Sequence, residues 1–271
     1  DSVFDTRKFV TLIILDGFGV FPDAEGNAVW AAKTPFLDTA WTFGRSTLIH
    51  AAGTHVGLPN EEPGNSEVGH LNLGAGQVVY QSLPRINDAI SGQELNKNGV
   101  VREMFDQLRS KKSDLHLTGV LSAAGVHGHI KHLFSLMELC KANGVDPYIH
   151  IMLDGRDTGP MEGYLYISKL KEKIKELGVG RIASMMGRFY GMDRDSRWER
   201  TKLAYDAMVG ISDDTFTDPV DAIQQAYKRE EFDQFFKPRV CVGSDGKPVG
   251  VVKDNDAVLF WNFREDRARQ L

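Results

Sequence analysis

The chain has 271 residues, 42% of them hydrophobic and 25% charged, proportions that fit a globular protein of one large or two moderate domains. Its formal net charge of -5 argues against a nucleic-acid surface, and no apolar run approaches the roughly 18 residues needed to cross a bilayer. No secretory signal leads it, and the two cysteines, Cys140 and Cys241, lie far apart, so they read as thiols of a reducing, cytoplasmic protein.

The first apolar run, FVTLIIL at residues 9–15, is rich in β-branched residues and reads as a strand buried on both faces. A helical stretch over NAVWAAKTPFLDTAWT follows, with Pro35 as its break or restart. STLIHA at residues 46–51 reads as a second strand. A short helix then opens at Ser66, with Asn65 as its N-cap.

From about residue 86 the rhythm becomes regular. VVREMFDQLRSKK is an amphipathic helix, and LHLTGVL, PYIHIML and RIASMM are short apolar strands. The helices HIKHLFSLMELCKANG and GYLYISKLKEKIKELG separate them and end at Gly144 and Gly178. This alternation predicts βαβ units and a parallel sheet. Two further helices, a hairpin around Asp245 and Gly246, and a last strand AVLFWNF complete the pattern. The change of strand rhythm places a domain boundary near residues 78–83, giving domains 1–80 and 81–271.

Ligands of open α/β sheets bind beyond the carboxyl ends of the strands, so the residues after each strand carry the functional reading. Asp16 follows the first run. His127 and His129 follow LHLTGVL; Asp154, Arg156 and Asp157 follow PYIHIML. Arg188, Asp193, Arg194 and Arg197 follow RIASMM, and Arg264 and Arg267 follow AVLFWNF. Arginine forks match phosphate and carboxylate geometry, so four such loops in an acidic protein predict a small, multiply charged anion as ligand. Asp157 either handles the proton of a substrate hydroxyl or orients Arg156. His127 either hydrogen-bonds the substrate, or caps the next helix or packs in it. A metal site at His127, His129 and His132 is disfavoured, because His132 lies within the helix and no carboxylate neighbours the group.

Ser66 has two readings. It is either a hydroxyl satisfying backbone N–H groups at a helix start, or a nucleophile whose anionic product the helix N-terminus stabilises. A nucleophile needs activation, and no His–Asp pair is evident beside it in the sequence. A metal ion held partly by Asp16 would serve.

The motifs LIILDGFG, EGNAVWAAKTP, GNSEVGHLNLGAG, GVHGHIKHLF, LDGRDT, MGRFYGMDRDSRWER and FWNFREDRARQL occur in that order. Together they closely resemble cofactor-independent phosphoglycerate mutase, of the alkaline-phosphatase-like superfamily, over residues 10–271. The resemblance implies an α/β fold: part of an alkaline-phosphatase-like parallel-sheet domain, followed by an inserted α/β phosphotransferase domain. It implies interconversion of 3- and 2-phosphoglycerate in glycolysis and gluconeogenesis, without 2,3-bisphosphoglycerate and with two divalent ions, usually manganese. Asp16 and Ser66 are then metal ligands, and Ser66 is also the phosphorylated nucleophile. His127, Arg156, Asp157, Arg188, Arg194, Arg264 and Arg267 are then substrate-binding residues, with Asp157 the candidate acid/base.

Two departures bear on the function. Ala123 stands where the family usually has an acidic residue. Family members are also roughly twice as long, and their remaining half carries most of the metal ligands. Residues 1–271 therefore read as an N-terminal portion, expected to be inactive alone, monomeric, and without nucleic-acid or membrane partners. Two alternatives stay open: another phosphoryl-transfer enzyme of the superfamily (a phosphatase or phosphopentomutase), and a non-catalytic anion-binding fragment.

Overall fold

The computed structural model describes residues 11–18, 25–60 and 62–271. The chain divides into two compact units, Asp1–Pro84 and Arg85–Leu271.

In the first unit, helix α1 spans Ala28–Ala31 and α2 spans Pro35–Phe43. Pro35 opens α2, where its fixed φ suits a helix start and its missing N–H costs nothing. Helix α3, Ser66–Ala75, is capped by Asn65, whose side chain accepts from the Val68 N–H at 3.0 Å. It ends at Gly76 in the left-handed conformation. Asn72 ties α3 to its surroundings, donating to Val56 O at 3.0 Å and accepting from the Val79 N–H at 2.8 Å. A small core of Val56, Leu58 and Val68 lies beneath.

The two expected strands of this unit are not formed. Residues 9 and 10 lie outside the described residues; residues 11–15 and 46–51 adopt no strand. A strand exists only through hydrogen bonds to a neighbour, and neither run has a paired neighbour among the described residues. Their apolar side chains stand exposed, Ile13 at 76% and Ile49 at 80%.

The second unit is a mainly parallel α/β sandwich. Helix α4, Ser82–Ser91, crosses the boundary, and α5 spans Gly99–Lys111. Strand β1 is Leu115–Leu121, α6 Ile130–Ala142, β2 Tyr148–Leu153, α7 Gly163–Leu177 and β3 Arg181–Gly187. The short helix α8, Arg188–Gly191, and α9, Trp198–Met208, follow. Strand β4 is Thr215–Phe216, α10 Pro219–Lys228, β5 Arg239–Cys241 and β6 Ala257–Phe260. The sheet order is β4-β5-β3-β2-β1-β6. All neighbours are parallel except β3 and β5.

Every residue of β1 is buried, as expected for a strand covered on both faces. Leu115, Leu117 and Leu121 join Ile149, Ile151 and Leu153 in a core with Leu133, Met137, Ile167 and Leu170 of α6 and α7. On the opposite face Val120, Met152 and Met186 meet Ala204 and Met208 of α9. That second face also carries a buried polar chain. His150 lies 2.9 Å from His116 and 2.8 Å from Ser184 Oγ, and His116 lies 3.3 Å from Asp256.

The expected hairpin is reduced to one antiparallel bridge, Val242 with Pro248, and a turn closed by Gly246 N–H to Gly243 O at 2.9 Å. β6 returns beside β1, and the residues after it continue along the sheet edge. Trp261 N–H donates to Thr118 O at 3.0 Å, its indole N–H to Val120 O at 2.7 Å, and Phe263 N–H to His127 O at 2.8 Å. Cys140 is buried, which pushes its thiol up to about 12. No helix among the described residues is long and apolar enough to cross a membrane.

Candidate functional site

The Asn65 cap places Ser66 at the first position of α3, exposed, where free backbone N–H groups gather. Its hydroxyl donates to Asp16 Oδ2 at 2.7 Å, across fifty residues of sequence. Asp16 stands in the turn at Gly17, whose φ of +77° a glycine adopts without strain. One helical turn on, His70 Nδ1 lies 3.3 Å from Ser66 Oγ and 2.8 Å from the Ser66 carbonyl. The serine thus has polar neighbours that its local sequence did not single out. His70 could have been found from the four-residue spacing once the helix start was fixed. Asp16 and Ser66 supply two oxygens, and the described residues contain no group of three or more His, Cys, Asp or Glu able to hold a metal ion. They do not make a divalent-ion site by themselves.

The second unit carries the arginine cluster at the carboxyl ends of β1, β2, β3 and β6. Arg188, at the β3 end, is 4% exposed, and its Nη1 donates at 2.6 Å to both Asp154 and Asp157. Asp154, 3% exposed at the end of β2, also accepts the Asp157 N–H at 3.0 Å. Burial works to raise the Asp154 carboxyl, but the Asp157 amide and the Arg188 guanidinium outweigh it and hold it below the usual carboxylate range. Asp157 remains more open, its side chain 21% exposed, with His127 Nε2 3.5 Å away.

His127 is buried. Burial, then the positive charges of Arg188 and Arg264, push its imidazole down to about 4, so the ring is neutral near pH 7. Its Nδ1 is buried without a hydrogen-bond partner. It is not the helix cap; His129 is, accepting from the Lys131 N–H at 3.1 Å. His132 packs within α6 and bonds Asn87 Oδ1 at 2.9 Å, so the three histidines form no ligand group.

From the β6 end, Arg267 donates to Met192 O at 2.7 Å while its Nε is buried and unpartnered. Burial, then the charges of Arg194 and Arg188, push its guanidinium below its ordinary value, and Arg156 adds to this. Arg194 meets Asp266 at 3.0 Å, and Arg264, equally exposed, meets the same carboxylate at 3.4 Å. His127, Asp157, Arg188, Arg194, Arg264 and Arg267, with Arg156 close enough to act on Arg267, form one cluster richer in guanidiniums than in carboxylates. Two buried nitrogens within it lack partners. Such a cluster is suited to an anion with more than one charged group. Asp16 and Ser66 belong to the first unit.

The family model described as "BPG-independent PGAM N-terminus" matches residues 86–271. The chain is 48% identical over 267 residues to the 2,3-bisphosphoglycerate-independent phosphoglycerate mutase of Listeria monocytogenes, covering 98% of this chain and 52% of that protein. It is 46% identical over 265 residues to the enzyme of the same name from Acetivibrio thermocellus, covering 97% and 52%. Among solved structures, a phosphoglycerate mutase of Leishmania mexicana, determined at low cobalt concentration, superposes with a TM-score of 0.74 at 32% identity. That match covers 95% of this chain and 49% of the other. The chain spans about half the length of the curated relatives it matches.

Proposed function

This chain belongs to the BPG-independent phosphoglycerate mutase family, and from that premise we propose that its full-length protein interconverts 3-phosphoglycerate and 2-phosphoglycerate through a phosphoserine at Ser66. The observation that carries the reading is the convergence of arginines on the His127–Asp157 pair. A phosphatase that releases its product needs no such cluster. A mutase must hold the dephosphorylated glycerate until the phosphoryl group returns.

In this reading the arginines bind the carboxylate and phosphate, and neutral His127 hydrogen-bonds the substrate without adding to the positive charge. Ser66 Oγ attacks phosphorus while the bond to the substrate oxygen breaks. Asp16 draws the hydroxyl proton along the 2.7 Å hydrogen bond, and the new phosphate sits at the N-terminus of α3. Asp157 moves the proton of the retained glycerate. The oxygen that the phosphoryl group leaves gains a proton through Asp157, the hydroxyl that then attacks gives one up to it, and Asp16 returns its proton to Ser66 Oγ as the phosphoryl group departs.

Residues 1–80 belong to a metal-binding, phosphatase-like part and residues 81–271 to a phosphotransferase part. Asp16 and Ser66 are proposed as two ligands of a divalent-metal centre, with manganese the expected ion and no 2,3-bisphosphoglycerate required. Two oxygens do not hold an ion by themselves; with its remaining ligands supplied, the ion would make the Ser66 hydroxyl a better nucleophile, and without them residues 1–271 are not expected to turn over. A monomeric, cytoplasmic, glycolytic enzyme completes the proposal.

The test is a product assay on the full-length protein with 3-phosphoglycerate, separating 2-phosphoglycerate from free phosphate. Formation of 2-phosphoglycerate without phosphate release supports the mutase. Phosphate release alone assigns a phosphatase, and binding without turnover assigns an anion-binding module.

A further inference from the structure

Behind the arginine cluster, one short turn touches both loops that flank the Asp154–Arg188 pair. The 3₁₀ turn Asp233–Phe235 lies where three glycines leave room for it. A Cβ at Gly155 would come within 2.6 Å of Gln234 N and 2.9 Å of Asp233 Cβ. One at Gly163 would come within 2.7 Å of Asp233 Oδ1, and one at Gly187 within 2.6 Å of Asp233 O. Gly155 follows Asp154 directly, and Gly187 directly precedes Arg188. The backbone completes the contact: Asp233 N–H donates to Pro160 O at 3.0 Å, and Gly187 N–H to Phe236 O at 2.7 Å.

Asp233 itself is fully buried. Its two oxygens accept the Gly163 N–H at 2.7 Å and the Tyr227 hydroxyl at 2.5 Å. Among the described residues it makes no ion pair with a cation, and the charged groups that act on it are Asp154 and Glu162, both acidic. An uncompensated buried carboxylate costs stability, and a fold with no use for it would be better served by a neutral side chain. Burial raises this carboxyl to about 6; the two hydrogen bonds oppose the rise, and the charges of Asp154 and Glu162 add to it.

We propose that Asp233 is a positioning residue that sets the spacing of the two substrate loops, 154–163 and 187–191, and through it the orientation of Arg188 and Asp157. The proposal rests on the reading of the arginine cluster as the substrate site. The charged form is the one that works, for a reason of hydrogen count. Both groups facing Asp233 donate. A protonated carboxyl brings a third hydrogen into the same space, so one of the two ties must open or reverse.

The experiment measures 3-phosphoglycerate binding to the full-length protein by calorimetry, between about pH 5 and pH 8, alongside thermal melting. Asp233→Asn is expected to lower affinity roughly tenfold at pH 8, the scale of one lost hydrogen bond to a charged group. It is expected to melt no lower than the native protein, because it removes a buried charge. The ratio of native to variant affinity should fall towards one by about pH 5, where native Asp233 is itself protonated; substrate titration cancels in that ratio. Should Asp233→Asn not fold, Tyr227→Phe keeps the carboxylate, removes one donor, and is expected to cost about threefold. Arg264→Ala is the control for the underlying reading. Reduced binding in Arg264→Ala, with affinity unchanged in the Asp233 or Tyr227 variant, overturns the inference and leaves the site intact. Unchanged binding in Arg264→Ala overturns the site assignment itself. A pH-independent affinity ratio, or a loss of affinity matched by a loss of melting temperature, assigns Asp233 to the scaffold alone and also overturns the inference.

Discussion

Replacing Arg188 by methionine tests whether the site is held by one guanidinium. The side chain is 4% exposed, and its Nη1 lies 2.6 Å from both Asp154 and Asp157. Those two carboxylate oxygens are therefore within about 5 Å of each other, which at an effective dielectric near 20 is a repulsion of about 3 kcal/mol once the cation is gone. Removing one partner of a buried ion pair costs about 3–5 kcal/mol on general grounds, so both routes give the same scale.

The pH dependence has a definite sign. In the native protein Asp154 is held below its ordinary range. Its contribution is therefore present above the unfolded carboxylate value of about 3.9 and is lost as pH falls through the lower folded value. In Arg188→Met burial acts without the guanidinium and the Asp154 carboxyl rises. The variant's deficit should then be largest near pH 7.5 and shrink towards pH 5. Urea unfolding of both proteins at those two pH values, followed by far-ultraviolet circular dichroism, measures it. Adding Asp154→Asn should recover part of the loss. A deficit below about 1 kcal/mol at pH 7.5, or one equal at both pH values, would refute the reasoning.

Ser66→Ala in the full-length protein should abolish turnover while circular dichroism stays native; substantial residual mutase activity would remove Ser66 from the mechanism. Arg264→Ala should weaken phosphoglycerate binding by about 1.5–3 kcal/mol, read as a raised KM, and unchanged kinetics with both substrates would return Arg264 to the surface. With His127 pushed down to about 4, its ring stays neutral between pH 5 and 8. His127→Gln should therefore lower affinity without altering the shape of the pH profile, and loss of a limb near pH 6.5 would show that the histidine is charged. Residues 1–271 mixed with manganese and 3-phosphoglycerate should give no 2-phosphoglycerate, since two oxygens do not fix a pair of metal ions; turnover near that of the full-length protein would reveal an unrecognised metal centre.

The sequence was most informative where a local rule had no competitor. LHLTGVL, YIHIML and RIASMM are long enough to read as strands, and each delivers its polar loop to the same carboxyl end of the sheet. Asn65 announces α3 because an asparagine side chain meets a free N–H there. The runs at 9–15 and 46–51 carried an equally strong strand pattern, yet the described part of each forms none. Composition states a preference for pairing and says nothing about whether a partner is present. Strands β4 and β5, of two and three residues, are too short to show a period, so the antiparallel edge was invisible. Asp233 was hidden for another reason. It sits in FDQFF, and its significance lies in glycines some 46 to 78 positions earlier, which only the folded chain brings together.

Strand β6 pairs with β1 across some 140 residues, and the segment after it carries Arg264 and Arg267 to the side of His127. This topology bears on how the site comes into being. The loops after β1, β2 and β3 can be laid down in order by successive local crossovers, but the cluster lacks two of its arginines until the last strand closes the edge. Such long-range closure is slow, since the entropy of the intervening chain must be overcome before any contact repays it. During synthesis, at about 5–20 residues per second, β1 waits several seconds or more with one edge open. Its buried His116 and Thr118 are unpaired on that side in the interval, and that open edge is where a chaperone, or another nascent chain, would find its opportunity.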